Sequence, residues 1–142
     1  MKYLMLTFVL IFYGCASKSY LCEIQEVQNE MQNLKAKIGE SIDGNELESV
    51  RCKDGIYRIV YNISPNSSIA KVINNPKGQD LYKHILYSRT CKSIIIKNGL
   101  TIEQVFMLKN GKMFLSTINP NLCEYMSKNN MFIEDITKKI EK

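Results

Sequence analysis

The sequence lacks tryptophan and has a single histidine, His84, among its 142 residues. One histidine leaves few ways to build a hydrolytic site. A hydrolytic site built around His84 could use Ser88, Ser93, Ser116 or Cys91 as its nucleophile. None of them stands in a G-x-S-x-G or comparable motif, and glycine-rich phosphate loops are missing too. The sequence therefore predicts a protein that is not an enzyme and that needs no cofactor.

Metal-binding and nucleic-acid-binding patterns are also missing. The five cysteines include no C-x-x-C pair of the kind that zinc sites use. The formal net charge is only +5, and the lysines are scattered along the chain instead of forming a basic stripe. We therefore expect no metal and no nucleic-acid partner.

The most distinctive stretch that is present is the N-terminal leader. Lys2 precedes an almost wholly apolar run from Leu4 to Phe12. A basic start followed by roughly 7–15 apolar residues is typical of a secretory signal peptide. The run is shorter than the ~20 apolar residues of a membrane-spanning helix. The leader therefore predicts export.

Directly after this run, the small residue Gly14 precedes Cys15. The pattern resembles the lipobox of bacterial lipoproteins, in which the cysteine is acylated and becomes the first mature residue. The resemblance implies a signal peptide over residues 1–14, a lipid anchor on Cys15, a tether over residues 15–21 and a single domain over residues 22–142. Because no Asp follows the cysteine, it also implies an outer-membrane lipoprotein that faces the periplasm.

Two other interpretations of the leader stay open. An ordinary signal peptide cut after Ala16 or Ser17 would give a secreted or soluble periplasmic protein that keeps Cys15. A retained membrane anchor is the third interpretation, and the short apolar run disfavours it.

Acylation of Cys15 would leave four cysteines, which are Cys22, Cys52, Cys91 and Cys123. An even number of cysteines in a small exported domain is typical of a disulfide framework. The sequence therefore predicts two disulfides, for which three connectivities are open.

Apolar periodicity and turn residues predict an α+β fold. Its five-stranded, mostly antiparallel sheet has the order β-β-β-α-β-β and is flanked by N-terminal and C-terminal helices. The predicted strands are Leu47–Lys53, Ile56–Ile63, Ser68–Ile73, Leu100–Leu108 and Lys112–Ile118. The predicted helices are Cys22–Ile38, Gln79–Arg89, Leu122–Lys128 and Phe132–Lys142, with a helix or turn over Ser93–Lys97. Asp54-Gly55 and Asn110-Gly111 are hairpin signals.

Two apolar surfaces are candidates for binding a protein partner. Val27, Met31 and Leu34 lie on one face of the first predicted helix. Tyr57 and Tyr61 point to one side of the second predicted strand, and tyrosine suits contact surfaces. Packing inside the protein's own core is the alternative role for both sets.

The segment from Cys91 through Asn98-Gly99 and Asn110-Gly111 to Cys123 is similar to small periplasmic lipoproteins of the secretin-pilotin kind. The β-type of that family has a five-stranded sheet flanked by helices and tied by a disulfide. The resemblance implies that the protein binds a terminal helix of an outer-membrane secretin and guides that subunit to the membrane. In an oxidising compartment we expect Cys91 to pair with Cys123, and Cys22 with Cys52.

A periplasmic inhibitor or immunity lipoprotein, directed against a lytic enzyme or a toxin, is the alternative function. Such a protein usually inserts a loop into an active site, and the candidate loops are Ser64–Ser68 and Asn74–Gly78. A long groove between the first helix and the sheet would favour capture of a helix. A protruding polar loop would favour inhibition.

Cys15→Ser tests the lipid anchor. We expect this variant to leave the membrane fraction, because each buried methylene of an acyl chain contributes ~0.8 kcal/mol of membrane affinity and stable anchoring needs more than one lipid signal. Immunoblotting of membrane and soluble fractions measures the change. A variant that still sediments with membranes would contradict lipidation.

Overall fold

The computed structural model describes residues 18–133. The predicted signal peptide, Cys15 and most of the predicted helix Phe132–Lys142 lie outside these residues. Within them the chain forms an α+β fold around a five-stranded sheet, as predicted. No helix in this part of the chain is long and apolar enough to cross a bilayer.

The first half of the described chain supplies three adjacent strands. Its elements are a 3₁₀ helix (Lys18–Glu23), helix α1 (Gln25–Lys35), and strands β1 (Ser41–Ile42), β2 (Asn45–Lys53) and β3 (Ile56–Ile63). Two-residue turns at Asp43-Gly44 and Asp54-Gly55 join the strands, and all four residues have positive φ. That conformation suits Asp and Gly and matches the twist of a hairpin.

The second half supplies the remaining helices and two more strands. Its elements are α2 (Ser68–Ile73), α3 (Pro76–Thr90), α4 (Ile94–Lys97), β4 (Thr101–Leu108), β5 (Met113–Ile118) and α5 (Pro120–Lys128). Polar caps explain where several helices begin. The Asn119 side chain, for example, accepts a hydrogen bond of 2.8 Å from the Leu122 amide and so satisfies one free N–H group of α5.

Ser68–Ile73 is a helix, so the prediction of a third strand there was wrong. The Ser67 hydroxyl accepts a hydrogen bond from the Ala70 amide, and the Asp43 carboxylate accepts one from the Ser68 amide. These acceptors satisfy N–H groups that a helix leaves free in its first turn. The fifth strand is instead the short β1.

The first helix is also shorter than the predicted Cys22–Ile38. It ends at Lys35, and the turn after it includes Gly39 with a φ of 86°, leaving Ile38 44% exposed. The predicted tether folds onto the domain from Lys18 onward, because the 3₁₀ helix buries Leu21.

The strands are arranged in the order β1-β2-β3-β4-β5. Only the β3–β4 pair is parallel among these neighbours, and the other three pairs are antiparallel. Side chains therefore alternate between two faces of one sheet. Tyr57, Ile63 and Ile118 are almost fully buried on the face that the helices cover.

The opposite face, which we call the open face, is defined by the outward side chains of β2 to β5. They include Ser49, Arg51, Lys53, Ile56, Arg58, Val60, Asn62, Glu103, Val105, Met107, Met113, Leu115 and Thr117. Met113 is 63% exposed and Leu115 is 45% exposed. The helices of residues 18–133 thus lie on the other side of the sheet.

Two disulfides tie helical segments to the rest of the fold, with the predicted pairing. Cys22 of the 3₁₀ helix is bonded to Cys52 of β2, with Cα atoms 5.6 Å apart. Cys91, which follows α3, is bonded to Cys123 of α5, with Cα atoms 5.4 Å apart.

Removing either disulfide should destabilise the domain. The bonds join residues 30 and 32 positions apart, and closing loops of that length is worth about 3–4 kcal/mol on the chain-entropy model. We expect Cys22→Ser with Cys52→Ser, and separately Cys91→Ser with Cys123→Ser, to lower the free energy of unfolding by about this amount. Urea denaturation measures it. Free thiols at these positions in the non-reduced protein would contradict the pairing.

Candidate functional site

An apolar groove of about 440 Å³ lies on the covered side of the sheet, between the sheet and the helices. Its floor is formed by β2, β3 and β4. One wall is formed by the C-terminal end of α1 and by β1, and the other by α2 and α3. The apolar residues that line it are Leu34, Ile42, Leu47, Tyr61, Ile63, Ile69, Tyr82, Leu86 and Phe106. We call this feature the groove.

Aromatic packing shapes the floor of the groove. The Tyr61 and Phe106 rings stack with centroids 5.1 Å apart, and Tyr82 meets Phe106 edge-on at 5.6 Å. Offset and edge-to-face contacts of this kind stabilise ring positions beyond simple burial. Burial raises the pKa of the Tyr61 and Tyr82 phenols. Both hydroxyls are therefore protonated at neutral pH and able to donate hydrogen bonds.

One polar side chain, Gln104, lies in the apolar floor. It is 9% exposed, it lines the groove, and its Oε1 atom has no hydrogen-bond partner among the described residues. An unsatisfied buried acceptor costs ~1–3 kcal/mol.

Polar residues surround the mouth of the groove. Lys37, Glu40, Asp43, Asn45 and Ser68 lie there. The Asp43 carboxylate accepts hydrogen bonds from the Ser68 amide at 3.1 Å and from the Ser68 hydroxyl at 2.9 Å. The Asn45 side chain accepts one from the Ser64 amide at 3.0 Å. These bonds attach the β1–β2 hairpin to the start of α2 and hold the mouth in shape.

The predicted binding residues have separate positions. Leu34 and Tyr61 line the groove, and Met31 packs, partly buried, against the core. Val27 and Tyr57 are fully buried, so neither presents a surface to a partner in this structure. For these two residues the structure favours the alternative of core packing.

Sequence reasoning missed most of the groove, although two signals were available. Gln104 is a polar residue on the inward side of β4, in the same alternation as Ile102 and Phe106. Asp43-Gly44 is a hairpin signal of the same kind as Asp54-Gly55, and it positions Ile42 at the mouth.

Three of the residues considered for hydrolytic chemistry have other partners, whereas Ser116 Oγ and His84 Nδ1 are buried without a hydrogen-bond partner among the described residues. Ser88 accepts a hydrogen bond from the Ile133 amide, and Ser93 accepts one from the Ile96 amide. Cys91 is in a disulfide. His84 lies on α3 with its ring edge-on to Tyr87. Within residues 18–133, no group of three or more His, Cys, Asp and Glu side chains is placed to hold a metal ion.

No family model and no curated protein matches the sequence. Solved structures do share the fold. They include a Pseudomonas aeruginosa protein thought to be secreted, with a TM-score of 0.61 and 11% identity over 78% of this chain and 99% of that one. They also include EpsS, the pilotin of the Vibrio vulnificus type 2 secretion system, with a TM-score of 0.55 and 15% identity over 77% of this chain and 97% of that one. At sequence identities this low, the structural matches establish similarity of fold alone.

The hydrogen bonds that the Asp43 carboxylate accepts make the free energy of unfolding depend on pH. Hydrogen bonds from the Ser68 amide, then from its hydroxyl, lower the pKa of the Asp43 carboxyl below its ordinary value of 3.8, and Lys71 adds to the effect. A carboxyl whose pKa is lower in the folded state stabilises the fold above the unfolded-state pKa, and this stabilisation is lost as the pH falls through the folded-state pKa.

We therefore expect the free energy of unfolding of the wild type to fall more steeply below about pH 4 than that of Asp43→Asn. Asparagine tolerates the positive φ of this position and keeps an acceptor, but it does not titrate. Urea denaturation of both proteins at neutral and acidic pH measures the difference. If the two pH profiles were parallel, the Asp43 carboxylate would contribute nothing to the pH dependence of stability.

Proposed function

We propose that this protein is an exported, lipid-anchored module that binds a protein partner in its groove and assists its assembly at the outer membrane, as a pilotin does. The observation that carries the proposal is the groove itself, with its apolar floor and walls and its polar mouth. The protein acts by binding, with no catalytic step and no cofactor.

The size and lining of the groove favour an apolar segment of a partner. A volume of about 440 Å³ lies within the range of sites that enclose apolar ligands. Recognition of an amphipathic helix uses a hydrophobic groove of this kind, into which the helix places its apolar face.

Several independent features support an envelope location. The leader predicts export, and the Gly14-Cys15 pair predicts acylation. Disulfides such as Cys22–Cys52 and Cys91–Cys123 persist mainly in oxidising compartments outside the cytosol. The fold is also that of a secretion-system pilotin, which supports a partner within an envelope assembly.

The loops considered for an inhibitor give that alternative no support. In Ser64–Ser68 the Ser67 side chain is buried and its hydroxyl donates a hydrogen bond back to the Ser64 carbonyl. In Asn74–Gly78 the helix α3 already begins at Pro76, capped by Asn75. Both segments are short connections held against the fold, whereas the groove is open to an occupant.

Substitution at the mouth of the groove tests the proposal. Ile42 lines the groove and is 77% exposed, while Met113 is a similarly exposed apolar residue on the open face. We expect Ile42→Lys to weaken capture of the partner from the native host at least tenfold, because it removes an apolar contact worth ~1.5–3 kcal/mol. Met113→Lys is the matched control and should leave capture unchanged.

Photo-crosslinking identifies what occupies the groove. A photoreactive side chain at position 42 should crosslink to an apolar segment of an envelope protein, and the same group at position 113 should not. Gln104→Leu should stabilise the isolated protein, because it removes a buried oxygen that has no hydrogen-bond partner among the described residues. Equal capture by the Ile42 and Met113 variants, or a crosslink from position 113 as strong as that from position 42, would overturn the groove as the binding site.

A further inference from the structure

The open face carries a basic cluster that the groove does not use. Two of the three arginines of the chain, Arg51 and Arg58, lie directly opposite each other on β2 and β3. Like charges directly opposite on neighbouring strands are destabilising. Lys53 follows on the same face, next to the β2–β3 turn. A bound anion would stabilise these neighbouring positive charges.

Within the described part of the chain, the protein's own carboxylates neutralise only one of these cations. Glu103 of β4 pairs with Arg58, with an Nη2–Oε2 distance of 2.5 Å and an Nε–Oε2 distance of 2.7 Å. Among residues 18–133, neither Arg51 nor Lys53 has an acidic partner within ion-pair distance. Two exposed cations therefore stay available beside an arginine that is already neutralised.

A cleft of about 280 Å³ gathers these groups. Its lining consists of Arg51, Lys53, Asp54, Ile56 and Arg58. Ile56 is an exposed apolar side chain on the same face. Arginine binds phosphate oxygens in a bidentate manner, and lysine adds a point charge. Asp54 adds one carboxylate to this lining, so the cations Arg51 and Lys53 still outnumber it, and Ile56 offers an apolar side chain to the adjoining lipid.

The start of the described chain lies at this same end of the sheet. Lys18 packs against the β2–β3 turn so closely that a Cβ added to Gly55 would lie 2.8 Å from the Lys18 Cβ. Cys15 stands three positions before Lys18, and three residues span at most ~10 Å. An acyl chain on Cys15 would hold the β2–β3 turn at the bilayer surface.

From this geometry we infer that Arg51 and Lys53, in the cleft beside the Arg58–Glu103 pair, bind the phosphate headgroups of anionic phospholipids in the membrane that carries the lipid anchor. The inference rests on the export and anchoring in the proposed function. It also gives the domain an orientation, because β3 runs from this cleft toward the groove and its eight residues span roughly 25 Å. The mouth of the groove then points away from the bilayer, toward a partner.

Vesicle sedimentation tests the inference with the exported chain carrying Cys15→Ser, which cannot be acylated. It should bind vesicles containing about one third phosphatidylglycerol and not vesicles of phosphatidylcholine alone. Adding Arg51→Gln and Lys53→Gln should weaken binding about 30-fold, since each basic residue near an anionic surface contributes about fivefold. Lys109→Gln with Lys112→Gln, at the far end of the sheet, is the control with the same net charge and should change binding less than fivefold.

Three results would overturn the inference. They are equal binding to the two kinds of vesicle, an equal loss in the Lys109 and Lys112 control, and NMR shifts of Arg51 with inorganic phosphate but no vesicle binding. The last result would assign the cleft to a soluble phosphate. The groove is judged separately by the Ile42 and Met113 variants, so failure at the membrane leaves the proposed function standing.

Discussion

The parallel pairing of β3 with β4 is the constraint on which the rest of the structure depends. Hairpins can join antiparallel neighbours, but parallel neighbours require the chain to return along the whole sheet. Here the return between Ile63 and Thr101 is made by α2, α3 and α4, all on one face. That one crossover gives the sheet a covered face and an open face. The groove lies where this helical layer and α1 do not meet.

Local chemistry made much of the fold predictable. Asp54-Gly55 and Asn110-Gly111 mark turns because these residues tolerate the conformations that tight turns require. Apolar side chains at every second position identified β3 and β4 as strands. The error at Ser68–Ile73 arose because β-branched residues favour strands on their own, whereas the helix depends on the adjacent Ser67 cap together with Asp43, which lies 25 positions before Ser68 in the β1–β2 turn. A cap supplied from a distant residue leaves no local pattern.

The groove was less predictable, because position along an element does not fix depth in the molecule. Val27 and Leu34 occupy one helical face, yet Val27 is fully buried and Leu34 lines the groove. Tyr57 and Tyr61 share one side of β3, yet Tyr57 is fully buried and Tyr61 lines the groove. The end of β3 near Tyr61 is where the helical layer parts, and that depends on packing between elements far apart in sequence.

The bond between Cys22 and Cys52 has a mechanical consequence. Force applied to the chain on the N-terminal side of Cys22 would pass through a covalent crosslink directly into β2. Helix α1, which follows Cys22 in the chain, is bypassed by this route. The wall that α1 contributes to the groove would therefore stay unstretched under such a force.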